Sequence, residues 1–182
     1  MRTCRGFTLI ELLMTLTLLS IVLAMGIPAL GTAIEGQGVI ADARVLQRVV
    51  RVARHNAISS GRRVIVCPID SSNQCSHDWT LPIAVFTDQN NDKTINGDDR
   101  VIYRWGHERN SVVRWRGFGS GYLRLSKQGY AAENGSFTLC PASGAIHRAR
   151  QLVVNRVGRS YLSRDRDNDG IVEYGRDREP EC

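Results

Sequence analysis

The chain has 182 residues, a formal net charge of +6 and 42% hydrophobic residues. This length allows one domain with a substantial core plus an extended segment, and the composition lies in the globular range, unlike that of disordered chains. The positive charge permits an anionic partner without identifying one.

The first predicted element is an apolar helix near the N-terminus. Between Phe7 and Ile34 the one charged residue is Glu11, and residues 12–30 carry no charge. At about 1.5 Å per residue, such a run is long enough to cross a bilayer core of about 30 Å. We therefore predict a membrane-spanning helix over residues 7–30.

A short basic leader, residues 1–6, directly precedes this helix. In an ordinary secretory signal the small-residue cleavage site follows the apolar stretch, whereas here Gly6 stands before it. Arg2 and Arg5 favour a cytoplasmic position for the leader, so the residues beyond the helix are expected outside the cytoplasm. Because glycine lacks a side chain, a peptidase can approach the backbone at Gly6 closely.

Glu11 is a carboxylate at the edge of an otherwise apolar span, a costly position that indicates a function. It lies one helical turn after Phe7, so it can neutralise the amine that cleavage after Gly6 exposes, within one subunit or between neighbours. The alternative is an interfacial glutamate whose side chain simply reaches water.

Residues 6–13, Gly-Phe-Thr-Leu-Ile-Glu-Leu-Leu, closely resemble the processing motif of prepilins. In that family a membrane-bound prepilin peptidase cleaves after the glycine and methylates the new N-terminus. The resemblance implies cleavage between Gly6 and Phe7, N-methylation of Phe7, and a role for Glu11 in filament assembly.

Residues 31–60 are predicted to continue the helix as an amphipathic segment. Gly26 and Pro28 interrupt the apolar run and predict a kink or a local loss of helix, and Gly61 predicts the helix end. One face is apolar and another is basic, and the simplest interpretation of the basic face is contact with solvent. The apolar face consists of Val39, Ala43, Leu46, Val50, Ala53 and Ala57, and the basic face of Arg44, Arg48, Arg51 and His55.

Short runs with β-strand character, separated by turns, occupy residues 61–182. We predict that they form an antiparallel β-rich head packed on the second half of the helix. The predicted fold class is therefore α+β, with a long kinked N-terminal helix whose first half is transmembrane. The eight predicted strands are residues 63–67, 83–87, 100–105, 111–116, 122–125, 136–140, 151–155 and 160–163.

Four of the five cysteines lie in the predicted head, on the oxidising side of the membrane, and favour two disulfide bonds. Three pairings are possible. Cys67 and Cys75 bracket a short polar loop, so we favour Cys67–Cys75 together with Cys140–Cys182. A zinc site is the alternative, but the sequence has no C-x-x-C pair.

The helix and head together resemble the GspH/FimT group of minor pilins and pseudopilins. The resemblance rests on the order of short motifs at residues 53–58, 63–68, 79, 85–90, 137–140 and 152–159. It implies a minor pilin, nearer to the type IV pilus members than to the secretion pseudopilins, that primes assembly or occupies the filament tip. DNA uptake in natural transformation and type II secretion are the alternatives.

The same resemblance implies where the protein acts and with which partners. It would cross the inner membrane once, with its head in the periplasm, and later enter a pilus or pseudopilus filament. Its partners would be the prepilin peptidase and other major and minor pilins. The histidines are scattered, and the sequence has no nucleophile elbow, P-loop or metal-ligand spacing among them, which argues against an enzyme. No cofactor is implied apart from calcium.

Some FimT-like minor pilins are DNA receptors that use a basic C-terminal G-R-x-R motif. The matching residues here are Gly158, Arg159, Ser160 and Tyr161, so that tyrosine replaces the second arginine. Clustered cations suffice for phosphate contacts, and Tyr161 could stack on an unpaired base. The alternative is a mixed-charge surface for subunit packing. The residues predicted to contact double-stranded DNA are Arg148, Arg150, Arg156, Arg159, Arg164 and Arg166.

An acidic segment near the C-terminus suggests calcium. Residues 165–170, Asp-Arg-Asp-Asn-Asp-Gly, have the D-x-D-x-D-G start of an EF-hand loop, so Asp165, Asp167 and Asp169 are predicted ligands. The twelfth position carries Arg176 in place of the usual glutamate, and Glu173 is a possible substitute. A second acidic loop, residues 88–92, lacks the glycine. Asx-rich turns without a metal are the alternative for both loops.

Overall fold

One long helix, α1, spans Leu9–Ser60 in the computed structural model, which describes residues 8–106, 110–117, 119, 121–173 and 179–182. The Thr8 hydroxyl accepts a hydrogen bond from the Glu11 N–H at 3.3 Å and caps the first turn. Gly61 follows the last helical residue and has φ of 64°. This is the left-handed conformation that commonly ends a helix and that glycine adopts without strain.

The helix assignment continues through Gly26 and Pro28. The predicted local loss of helix at these residues is therefore wrong, whereas the predicted kink stays a prediction. Proline removes one backbone donor but keeps a φ near −65°, which is compatible with a helix.

The chain divides into two units, Met1–Glu35 and Gly36–Cys182. In the first unit Leu9–Ile27 is long and apolar enough to cross a membrane, with a mean hydropathy of 2.2 and none of its residues buried. Its hydroxyl groups are satisfied locally, because Thr15, Thr17 and Ser20 each donate to the carbonyl three residues earlier. Such internal bonding suits a helix in lipid, where no water is available to hydrogen-bond.

The second unit contains two four-stranded antiparallel sheets, with strand orders β3-β2-β1-β5 and β4-β6-β7-β8. Each of the eight predicted strands is confirmed, with ends that agree to within one residue. Every residue of β1 and β2 is buried, which explains their continuous apolar sequences. The strands are β1 Val64–Pro68, β2 Ile83–Thr87, β3 Val101–Trp105, β4 Ser111–Gly117, β5 Leu123–Leu125, β6 Gly135–Pro141, β7 Arg150–Val154 and β8 Ser160–Leu162.

The core of the second unit joins one face of α1 to both sheets. All six residues of the predicted apolar face are fully buried, and they belong to one cluster with Ile65 and Phe86 of the first sheet and Phe137 and Leu152 of the second. The four residues of the predicted basic face are exposed. The amphipathic pattern of residues 31–60 therefore places the sheets on one side of the helix.

A buried polar contact fixes the start of β4 against the helix. Asp42 is 5% exposed and accepts a hydrogen bond of 2.7 Å from the Ser111 hydroxyl and one of 3.4 Å from the Asn110 amide. A Cβ added at Gly38 would lie 2.6 Å from the Asn110 Cβ, so the close approach requires glycine there. Pairing of the Asp42 carboxylate with two donors makes its burial tolerable.

Two disulfide bonds close the head. One joins Cys67 in β1 to Cys75 in the following loop, and the other joins Cys140 in β6 to Cys182, with Cα–Cα distances of 5.6 Å in both. These are the pairs that the sequence analysis favours. The second bond ties the last residue of the sequence to the middle of the second sheet.

The buried helix face predicts a large effect for Leu46. Leu46→Ala should lower the free energy of unfolding by about 3 kcal/mol, because a fully buried leucine loses its contacts and leaves a cavity. The measurement is urea unfolding of the full chain in nonionic detergent micelles, followed by tryptophan fluorescence.

Arg48→Ala is the matched control, since Arg48 lies on the same helix but is exposed. Its unfolding free energy should change by less than about 0.5 kcal/mol. Equal effects of the two substitutions would contradict the packing of the sheets on the Leu46 face.

Candidate functional site

The N-terminal site is centred on Glu11, in the first turn of α1. Gly6 and Phe7, the predicted cleavage and methylation residues, lie outside the described residues. Glu11 is exposed, and within the described part of the chain it forms no ion pair. Its carboxylate is therefore available to another group.

Thr8 and Glu11 have the spacing of a helix capping box, a motif absent from the sequence-based predictions. The observed bond from the Glu11 N–H to the Thr8 hydroxyl is one half of that motif. An acidic residue in the first turn also interacts favourably with the helix dipole. Stabilisation of the first helical turn is therefore one reason for a carboxylate at position 11.

Exposed apolar side chains surround Glu11 along the helix. Leu9 and Met25 are more than 70% exposed, and all described side chains from Thr8 to Ile27 are exposed. Such a contiguous apolar surface is found where a protein contacts lipid or a partner. The arrangement can insert into a membrane or pack against other apolar helices.

A second candidate site lies at the turn between β7 and β8. Asn155 organises this turn: its side chain accepts from the Arg159 N–H at 3.0 Å, and its carbonyl accepts from the Gly158 N–H at 2.9 Å. Gly158 has φ of 72°, and a Cβ there would lie 2.0 Å from the Gly129 carbonyl oxygen. Only glycine fits this close approach, which directs Arg159 outward at the surface.

Arg159 lines a cleft of about 440 Å³ together with helix residues. Arg54 is held in place, since its Nε donates to the Gly129 carbonyl at 3.1 Å, whereas Arg51 and His55 are exposed. This arrangement concentrates positive charge in one concave surface, which we call the basic cleft. Its residues are Arg51, Arg54, His55, Ile58, Gly158, Arg159 and Ser160.

The structure brings only one of the six predicted DNA-contacting arginines into the basic cleft. Arg156, Arg164 and Arg166 are exposed outside its lining, and Arg148 and Arg150 are half-buried. Arg150 donates to the Ala149 carbonyl at 2.7 Å. Arg51 and His55 were missed as site residues because their regular spacing indicated only a solvated face, and Arg54 and Ile58 were noted only within the motif at residues 53–58.

The two acidic segments behave differently. Carboxylate oxygens of Asp165, Asp167 and Asp169 converge with that of Glu173 to within 4.8 Å of one another. Arg176, at the twelfth position, lies outside the described residues. These four carboxylates are the group within the described chain whose spacing could hold a metal ion.

The second acidic loop satisfies its carboxylates internally. Side-chain donation from Asn96, followed by the backbone N–H of Thr94, lowers the pKa of Asp92. Burial is the main cause that raises the pKa of Asp88, whose carboxylate accepts from the Lys93 N–H at 3.3 Å. These contacts are those of Asx turns, the alternative that the sequence offers for this loop, and calcium at this loop stays a prediction.

Comparisons with known proteins agree with this architecture. The structure of the type IV minor pilin FimU from Pseudomonas aeruginosa matches with a TM-score of 0.54 and 16% identity, over 69% of this chain and 88% of FimU. The minor pseudopilin EpsH of the Vibrio cholerae type II secretion system matches with a TM-score of 0.50 and 11% identity, over 73% and 98%. Identities this low show a shared fold alone.

Family comparisons cover most of the sequence. No curated protein sequence matches significantly. The family described as type II transport protein GspH matches residues 42–158, and the prokaryotic N-terminal methylation motif matches residues 1–27. The chain therefore belongs to the GspH family and is a minor pilin or pseudopilin, a structural subunit whose N-terminal helix anchors it in a membrane and in a filament.

Proposed function

We propose that this protein is a minor subunit of a type IV pilus that primes assembly or occupies the tip of the filament. The observation that carries the proposal is the exposed apolar helix Leu9–Ile27, whose one charge is Glu11 and which lies within the N-terminal methylation motif. The order of the short head motifs, which resembles the type IV pilus members of the GspH/FimT group more than the secretion pseudopilins, favours the pilus over the secretion filament.

The proposed pathway begins in the inner membrane, which residues 7–30 cross once with the head in the periplasm. A prepilin peptidase removes residues 1–6 by cleavage between Gly6 and Phe7 and methylates Phe7. The processed subunit then leaves the lipid for a bundle of pilin helices. Apolar side chains lose little in this transfer, because lipid and neighbouring helices are both apolar.

Glu11 sets the register of this packing. A lone carboxylate among apolar helices is costly, and the amine of a processed Phe7, on the same or a neighbouring subunit, neutralises it. An uncompensated carboxylate is tolerable in the exposed state of the isolated chain but not inside a helix bundle. The pair therefore favours subunits that dock at the correct depth.

Replacement of Glu11 by glutamine tests this role. Glu11→Gln should leave cleavage at Gly6 intact but lower the amount of the subunit in sheared filaments by about tenfold or more, since losing one partner of a buried pair costs about 3–5 kcal/mol. Immunoblots of membrane and filament fractions measure both steps.

Thr8→Ala provides the control for helix capping. It removes the hydroxyl that accepts from the Glu11 N–H but keeps the carboxylate, so filament incorporation should remain near the wild-type level. Incorporation of Glu11→Gln at the wild-type level, or an equal loss in Thr8→Ala, would contradict a pairing role for the carboxylate.

Deletion of the gene distinguishes the two kinds of filament. For a type IV pilus subunit we expect fewer surface pili by electron microscopy while type II secretion of exoenzymes continues, with restoration by the wild-type gene. Loss of secretion with normal piliation would instead make the chain a minor pseudopilin of type II secretion.

DNA uptake is a second candidate function, and the basic cleft favours it. Arg51, Arg54 and Arg159 come from two separated parts of the chain and line one concave surface. Arginine side chains in such a surface suit phosphate oxygens. Tyr161, half exposed on β8, adds a stacking surface for an unpaired base. A subunit at a filament tip is well placed for both assembly and DNA contact.

Removal of the two exposed arginines of the cleft tests DNA binding. Arg51→Ala/Arg159→Ala should weaken binding of the full chain in detergent micelles to labelled double-stranded DNA. It should also reduce the slope of log K against log salt by about 2, because two phosphate contacts are lost. Fluorescence anisotropy across a salt series gives both values.

Arg100→Ala/Arg114→Ala is the charge-matched control, since both arginines are exposed and lie outside the cleft. Arg164→Ala/Arg166→Ala tests the two exposed, predicted DNA-contacting arginines that follow β8 in the described chain. Equal losses in the control and the cleft variant would indicate nonspecific attraction, and no binding by the wild type at low salt would exclude the DNA receptor.

A further inference from the structure

Four carboxylates gather where the chain leaves β8. Asp165, Asp167, Asp169 and Glu173 each offer an oxygen, and these oxygens lie within 4.8 Å of one another. Asp167 and Asp169 are exposed, so the cluster is open to solvent on that side, whereas Glu173 closes it from the protein side. We call these residues the acidic cluster.

Glu173 is the residue that distinguishes this cluster from an ordinary acidic surface. It is only 5% exposed. Its Oε2 accepts a hydrogen bond from the Arg166 N–H at 2.9 Å, whereas its Oε1 is buried without a hydrogen-bond partner among the described residues. A buried carboxylate oxygen without a partner is costly, and a bound cation would supply the missing partner.

The backbone holds the other three carboxylates in place. Asp165 accepts from the N–H groups of Asn168 at 2.7 Å and Gly170 at 2.9 Å, one to each oxygen. Asp167 accepts from the Asp169 N–H at 3.2 Å, and Asp169 accepts from the Ile171 N–H at 2.7 Å. Each carboxylate oxygen has a further lone pair available after one such bond, so these contacts orient the carboxylates without exhausting them.

We propose that Asp165, Asp167, Asp169 and Glu173 form a calcium-binding site. The donor set contains only oxygen, which suits calcium and magnesium rather than zinc or copper. Calcium accepts irregular geometry and several carboxylates at once, whereas magnesium requires near-ideal octahedral geometry and retains its water. Four carboxylates around one ion therefore favour calcium, since magnesium is usually bound by one or two.

The site differs from an EF-hand in the residue that closes it. The first, third and fifth positions carry the three aspartates, as in an EF-hand loop. Glu173 stands at the ninth position, and the bridge between Arg164 and Glu173, with an N–H to carbonyl distance of 3.3 Å, brings it back to the start of the loop. A short backbone bridge thus replaces the longer EF-hand helix as the support of the last ligand.

Calorimetric titration of the full chain in nonionic detergent micelles with calcium chloride, after treatment with a chelator, tests the proposal. We expect one ion per chain, with a dissociation constant of about 10⁻⁴ to 10⁻³ M as in extracellular modules. Glu173→Gln and Asp167→Asn/Asp169→Asn should each weaken binding by at least about tenfold, because each removes charged ligands.

Asp98→Asn is the matched control, since Asp98 is an exposed carboxylate outside the acidic cluster. It should bind calcium as tightly as the wild type. Binding by Glu173→Gln at wild-type strength would overturn the proposal. Absence of binding at about 10 mM calcium, ten times the weakest expected constant, would also overturn it. Equally tight binding of magnesium would overturn the assignment to calcium.

Thermal unfolding separates a missing ligand from a damaged fold. In chelator, Glu173→Gln should melt at or above the wild-type temperature, because the amide removes a buried charge. Calcium should raise the melting temperature of the wild type and of Asp98→Asn by a similar amount, and that of Glu173→Gln by clearly less. A wild type insensitive to calcium in this assay would contradict the proposed site.

Discussion

Burial of one face of α1 is the contact on which the head depends. From Val39 to Ala57 this face is fully buried in a core shared with both sheets. Three of its six residues are alanines, which let the backbone of the helix approach the sheets closely. The sheets have no separate hydrophobic core in the described chain, since their buried side chains meet in this one cluster. The helix is therefore both the membrane anchor and the support of the head.

The sequence predicted most of this architecture because the relevant signals are local. β1 and β2 are short apolar runs bounded by turns, and the helix ends at a glycine that adopts a positive φ. The helix face could be read from spacing alone, since Leu46 and its companions repeat every three or four residues. The favoured disulfide pairs also follow from local order, because Cys67 and Cys75 flank one loop.

The candidate sites were only partly predictable, because they combine residues that are distant in sequence. Arg159 was identified within a short motif, but its neighbours Arg51 and Arg54 lie on the helix about a hundred residues earlier. Their approach depends on the turn at Gly158, whose fit against Gly129 is a tertiary contact. Glu173 was considered as a substitute calcium ligand because it lies close to the aspartates in sequence. Its burial and its unpartnered oxygen could be recognised only from the structure.

The fold that the head shares with other minor subunits does not by itself indicate which filament this chain enters. The same fold occurs in a type IV minor pilin and in a type II secretion minor pseudopilin, at identities of 16% and 11% to this chain. The fold of the head is therefore compatible with either filament. The head also carries two surfaces of opposite charge, the basic cleft and the acidic cluster. Because arginines attract phosphates and carboxylates attract cations, the ligands proposed for these two surfaces belong to different chemical classes.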